Sequence, residues 1–122
     1  MKGGAKTWYF PDGYLPEKNT EGPLESHEAL MILNAGTVDA HVTISIYFED
    51  RNPIKDIGTV VSSERVKTLR LDYKEDMGGV EIPVLTQYSL RIMSDVEVIV
   101  QFGRLDATQI NLAYYGTMGF RE

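Results

Sequence analysis

Cysteine is absent from this sequence. Its absence excludes disulfides, thiolate nucleophiles and Cys-ligated zinc, and it leaves hydrophobic packing to hold the fold. Histidine is scarce, with His27 and His41 the only two. No run approaches the ~20 apolar residues of a membrane-spanning helix, and the opening MKGGAKTWYF has no apolar core of signal-peptide length. Positive charge is in deficit: 12 Lys and Arg face 18 Asp and Glu, a formal charge of −6. A partner bound mainly by neutralising phosphates calls for a basic stripe, so this balance argues against nucleic acid. It fits instead a solvated acidic surface on a soluble, cytoplasmic protein. Helical spacing is also missing. Only Asp106–Leu112 reads as a short helix, and no segment keeps the helical period over three turns.

What is present is strand pattern. A chain of 122 residues is the size of one domain with one real core, so residues 1–122 read as a single domain. It is organised around Ser26–Phe48. Val42, Ile44, Ile46 and Phe48 alternate with His41, Thr43, Ser45 and Tyr47, as in a half-buried antiparallel strand. The preceding run, Ala29–Leu33, is continuously apolar and needs cover on both faces. Read as a hairpin with Asn34 opposite Ala40, the pair sets Leu30 against Ile44 and Ile32 against Val42. Ala29, Met31 and Leu33 then form a second apolar surface for another sheet, a helix or a second subunit. Further strands are expected at Thr7–Phe10, closed by the turn Pro11-Asp12-Gly13, and at Ile57–Val61, Val66–Leu71, Tyr88–Met93, Val96–Gly103 and Ala113–Met118. Ser94-Asp95 reads as a turn, Val80–Pro83 as extended, and Tyr14–Glu25 as a long surface loop. The expected fold is all-β: an antiparallel β-sandwich of seven to eight short strands, with a barrel as the alternative.

The groups that can carry chemistry are few. In the hairpin register the two histidines stand roughly 20 Å apart, too far for one metal, which leaves no metal site built on both. Ser26-His27 is a poor nucleophilic pair, because adjacent strand residues point to opposite faces. No G-x-S-x-G elbow or phosphate loop occurs. Asp12, Glu28 and Asp106 are the carboxylates available for acid–base work on a glycoside. Trp8, Tyr9, Phe10 and Tyr14 form an aromatic group, with Trp8 and Phe10 suited to the core and Tyr9 and Tyr14 to the surface. As a binding site, the candidate set is Trp8 and Tyr14 stacking on a sugar, with His27, Glu28, Arg104 and Asp106 supplying hydrogen bonds. No catalytic residue, metal ligand or cofactor is assigned.

Several of these residues fall into blocks: Trp8, Gly13-Tyr14, Ser26-His27-Glu28, Ile32-Leu33-Asn34-Ala35-Gly36, Asp39-Ala40-His41-Val42, Ile46-Tyr47 and Arg104-Leu105-Asp106. In this order and spacing the chain resembles the soluble sensory-rhodopsin transducer family, from Trp8 to about Tyr115. The resemblance implies a compact β-sandwich that assembles as a homotetramer, has no catalytic activity, and receives a signal at the cytoplasmic face of a membrane photoreceptor. For the wider family it also implies a small-ligand role, with sugars as the class. Asn52–Ile57, Lys74–Gly79 and Glu97 depart from the family pattern. The function expected is a non-enzymatic signalling adaptor working by protein–protein contact, with a small-molecule, sugar-binding module as the alternative.

Overall fold

The computed structural model describes residues 4–19, 22–109 and 111–122. Its strands are β1 (Ala5–Tyr14), β2 (His27–Asn34), β3 (Ala40–Phe48), β4 (Ile54–Val61), β5 (Arg65–Arg70), β6 (Gln87–Asp106), β7 (Ala113–Met118) and β8 (Phe120–Arg121). All pair antiparallel, and no helix occurs among the described residues. One strand belongs to both layers of the sandwich. The amino-terminal half of β6 lies in a first sheet of order β4-β3-β6-β1-β8, and its carboxy-terminal half in a second of order β5-β2-β6-β7. The changeover lies at residues 94–97. Thr7 is still opposite Met93 while Ala5 is opposite Val98, so the extra residues of β6 bulge and bend it from one layer into the other. The layers do not close into a barrel.

This topology corrects the expected hairpin. β2 pairs with β5 and β6, and β3 with β4 and β6, so the two strands lie in different sheets. The reason is visible at Asn34. Its buried side chain donates to the carbonyls of Val38 at 2.9 Å and Val61 at 3.0 Å, and its oxygen accepts from Gly36 N at 3.0 Å. Residues 35–39 are thereby held as an arch between layers. The predicted parity survives the change of partner: Leu30 and Ile32 point into the core, while Leu33 faces out.

Two turns and a helix are corrected as well. Ser94-Asp95 does not reverse the chain, because each half of β6 has a strand on either side, and Asp95 is occupied in binding the backbone N–H and ring of His41. Pro11-Asp12-Gly13 lies inside β1. The missing N–H of Pro11 falls at the register shift between Phe10 and Gly13, where no ladder bond is lost. Residues 80–83 join no sheet, although Ile82 is buried. After Asp106 the chain forms a loop; Ala107 N donates to Ser26 Oγ and Thr108 N to Asp106 Oδ1, contacts that replace helical bonds. Ile110 lies outside the described residues.

One core fills the sandwich. Leu30, Ile32, Leu69, Val100 and Phe102 of the second sheet meet Trp8, Phe10, Val42, Ile44, Ile46, Leu90 and Ile92 of the first. Burial of this size is the main stabilising term for a chain without cross-links.

Candidate functional site

Glu28 is the node of the loop-bearing end. Its side chain is fully buried, and a buried carboxylate persists only when paired and hydrogen-bonded. Both sheets contribute. Across the β2–β6 ladder Arg104 stands opposite Glu28 and donates from Nε to Oε2 at 2.6 Å. From the first sheet, Tyr88 donates its hydroxyl at 2.5 Å and Tyr14 its backbone N–H at 3.0 Å. Gly13 permits this convergence, since a Cβ there would fall 2.4 Å from the Tyr88 ring. Burial, reinforced by the Glu28 charge, pushes the Tyr88 phenol well above its ordinary value, so it stays a donor. For Arg104, burial works against the cation, but the hydrogen bond to Glu28 together with the charges of Glu28 and its neighbours outweighs it, and the pKa is raised.

Arg104 carries the node outward. One terminal nitrogen donates to Asp12 O at 3.2 Å, and the guanidinium lies 5.1 Å from the Tyr115 ring centroid. The other terminal nitrogen takes no partner among the described residues. Arg104 also lines a cleft of about 200 Å³ with Tyr14, Pro16, Glu17, Leu85, Asp106 and Thr108. Leu85 holds a left-handed backbone, φ 53°, at this wall. Asp106 accepts from the Thr108 hydroxyl at 2.6 Å and from its N–H, and these bonds hold its pKa below the ordinary value.

The six predicted site residues therefore separate. Tyr14, Arg104 and Asp106 share the cleft, and Glu28 sits beneath it as the anchor of Arg104. His27 is elsewhere: it pairs with Leu105 on the outer face of the second sheet, and its Nδ1 lies 2.8 Å from Glu25 O. Trp8 is 2% exposed and donates its indole N–H inward to Val98 O at 3.0 Å, so it offers no ring face to solvent. The carboxylates Asp12, Glu28 and Asp106 gather around Arg104. The two histidines lie on different sheets, and the hairpin register that spaced them does not exist.

Two features went unread in the sequence. The first is an ionic cluster that ties the long loop to the turn after β5. Asp72 accepts two bonds from Arg70 at 2.7 Å and one from Lys18, while Glu25 accepts from Arg70 at 2.6 Å and Tyr73 at 3.1 Å. Burial raises the Asp72 pKa, but bonds from Arg70 and Lys18 prevail and hold it below the ordinary value. Pairing of such distant residues leaves no local signal. The second is the extent of the second sheet's outer face. Ladder registers place Met31 and Leu33, Ile99 and Leu105, Val66, Tyr114 and Met118 together on it, with Arg70 and His27 toward one end of the strands. The signal was the unbroken Ala29–Leu33 run.

Comparison with known proteins agrees with this geometry. The family model described as Anabaena sensory rhodopsin transducer matches residues 3–121. A crystal structure of Thermotoga maritima 1070 is 36% identical, with 98% of this chain and 96% of that one covered and a TM-score of 0.86. The structure titled Anabaena sensory rhodopsin transducer is 34% identical, with coverages of 88% and 93% and a TM-score of 0.74. No curated protein matches. No helix among the described residues is long and apolar enough to cross a membrane.

Proposed function

The chain belongs to the Anabaena sensory rhodopsin transducer family, a transducer family and not a known enzyme family, and from that membership we propose that it is a non-enzymatic signalling adaptor. It acts in the cytoplasm and relays a signal by protein–protein contact. The observation that carries this reading is the outer face of the second sheet. Leu33 is 39%, Val66 63%, Tyr114 66% and Met118 54% exposed on one continuous surface, and exposed apolar area of this kind marks a place where another macromolecule sits. Copies of the chain in a homotetramer and the cytoplasmic side of a membrane photoreceptor are the occupants that the family suggests. Relay requires a partner that binds two states of the adaptor unequally. The test is co-sedimentation with membranes bearing Anabaena sensory rhodopsin. The unaltered chain is expected in the pellet, and Leu33→Lys combined with Val66→Lys in the supernatant with an unchanged melting temperature. Equal sedimentation of the two proteins counts against the reading.

A second reading is supported by the cleft. Tyr14, Arg104 and Asp106 line it together, an aromatic side chain with a donor and an acceptor, a combination that suits a sugar or a related polyol. A thermal-shift screen against sugars and sugar phosphates tests it. A ligand that raises the melting temperature of the unaltered chain, and fails to do so for Asp106→Asn, supports the cleft.

A further inference from the structure

Between the layers, at the edge where β1 and β8 of the first sheet face β6 and β7 of the second, lies a cavity of about 280 Å³. It shares no lining residue with the cleft that Arg104 lines. Its rings come from both layers: Phe10 stacks on Phe102 with centroids 6.0 Å apart, and Tyr115 tilts onto Phe102 at 6.3 Å. Phe10 and Phe102 are buried, whereas Met118 and Phe120, which also line the cavity, are exposed. The segment that joins β7 to β8 lies directly on Phe10. Only glycine allows that approach, since a Cβ on Gly119 would fall 2.7 Å from the Phe10 ring. Carbon makes up most of the lining. Water inside would find few hydrogen-bond partners, and a site of that kind favours an apolar guest.

Size and charge specify the guest. A cavity of ~150 Å³ lined by Leu, Ile and Phe takes up benzene, so roughly twice that volume suits a bicyclic aromatic ring with a short arm. The only lining residue with a formal charge is Asp12. The register shift between Phe10 and Gly13 leaves Pro11 and Asp12 out of the β1–β6 ladder beside the cavity, an irregularity of the kind that re-aims side chains at binding sites. The Asp12 side chain is 65% exposed, and the donor to its Oδ1, Gln87 at 3.2 Å, is neutral. Arg104 stands 3.7 Å from the same oxygen but is already bound to Glu28 at 2.6 Å. With Asp106, three carboxylates surround one guanidinium, so the local field favours a cation. Aromatic faces attract cations too. We propose that this cavity binds an arylalkylamine, its bicyclic ring held between the layers against Phe10, Phe102 and Tyr115 and its protonated amine at the Asp12 carboxylate. The site is independent of the protein-contact reading and of the sugar cleft.

The test is calorimetric titration of the full chain with tryptamine, beside indole-3-acetate, tryptophol and ethylamine. Tryptamine is expected to saturate with a Kd on the order of 0.1–1 mM, as a ligand of its size allows. Indole-3-acetate carries an anion on the same ring and is expected to bind at least about tenfold more weakly, because it meets Asp12 with like charge. Ethylamine has no ring and is expected not to bind. Asp12→Asn keeps the backbone carbonyl that Arg104 uses. This variant is expected to weaken tryptamine about tenfold and to leave tryptophol, the neutral analogue, within about twofold. Thr117→Phe fills the cavity from β7 and is expected to abolish binding of both at an unchanged or higher melting temperature. In the unaltered chain, nuclear Overhauser contacts are expected between the indole protons of tryptamine and the rings of Phe102 and Tyr115, a readout that needs no variant to fold. No saturable binding of tryptamine, equal affinity for indole-3-acetate, or undiminished affinity of a folded Thr117→Phe chain each overturns the proposal. Co-sedimentation with membranes decides the adaptor reading separately.

Discussion

At the scale of single residues, Glu28 shows how burial changes what a substitution means. Glu28→Gln keeps the shape of the side chain, yet it removes a carboxylate that holds the Arg104 cation while accepting from Tyr88 and Tyr14. Breaking a buried pair leaves the other charge uncompensated. Arg104 is 21% exposed at its side chain, so water recovers part of the loss, and we expect Glu28→Gln to cost about 2–3 kcal/mol in a denaturant titration. A variant within 0.5 kcal/mol of the parent, roughly the scatter of neutral surface changes, would show that Glu28 is not the node described. Any ligand assay on this variant must therefore be read beside its stability. Asp72 gives the pH expectation. Its pKa in the folded chain is depressed, so its contribution is full above the ordinary aspartate value of about 3.9 and is lost as pH falls through the lower folded value. Acid unfolding of the parent is expected to steepen in that window, and Asp72→Asn to flatten it, as followed by Trp8 fluorescence.

At the scale of elements, β6 and the 35–39 arch decide the architecture. A strand of 20 residues gives β2 and β3 separate stretches to pair with, and Asn34 ties the arch to the end of β4. Asn34→Ala leaves the carbonyls of Val38 and Val61 and the N–H of Gly36 without this partner. The expected loss is about 1–3 kcal/mol, the cost of unsatisfied buried polar groups, and equilibrium unfolding measures it. Strand positions were legible because alternation survives in Val42–Phe48 and in Val98–Phe102, where one face is wet or bulged and the other dry. Strand partners were not. Two neighbouring strands read alike whether they pair with each other or both with a distant third, because the hydrophobic pattern fixes a face and says nothing of the edge.

For the whole molecule, the sequence alone determined the all-β class, the single packed core, the inward parity of Leu30 and Ile32, and membership of the transducer family, which its blocks from Trp8 to Arg104-Leu105-Asp106 carry. These are local or composition-level properties: periodicity of two, absence of cysteine and helical spacing, and motif order. Tertiary structure decided which of six candidate residues meet. It drew Tyr14, Arg104 and Asp106 to one cleft, set Glu28 beneath them, sent His27 to the outer face and sealed Trp8 in the core. It also tied the long loop to the turn after β5 through Lys18, Glu25, Arg70 and Asp72. Neither could be read along the chain, because contacts such as Glu28 with Tyr88 and Arg104 join residues 60 and 76 positions apart. Such contacts follow from the sheet crossing of β6, which is fixed only when both layers pack against one core.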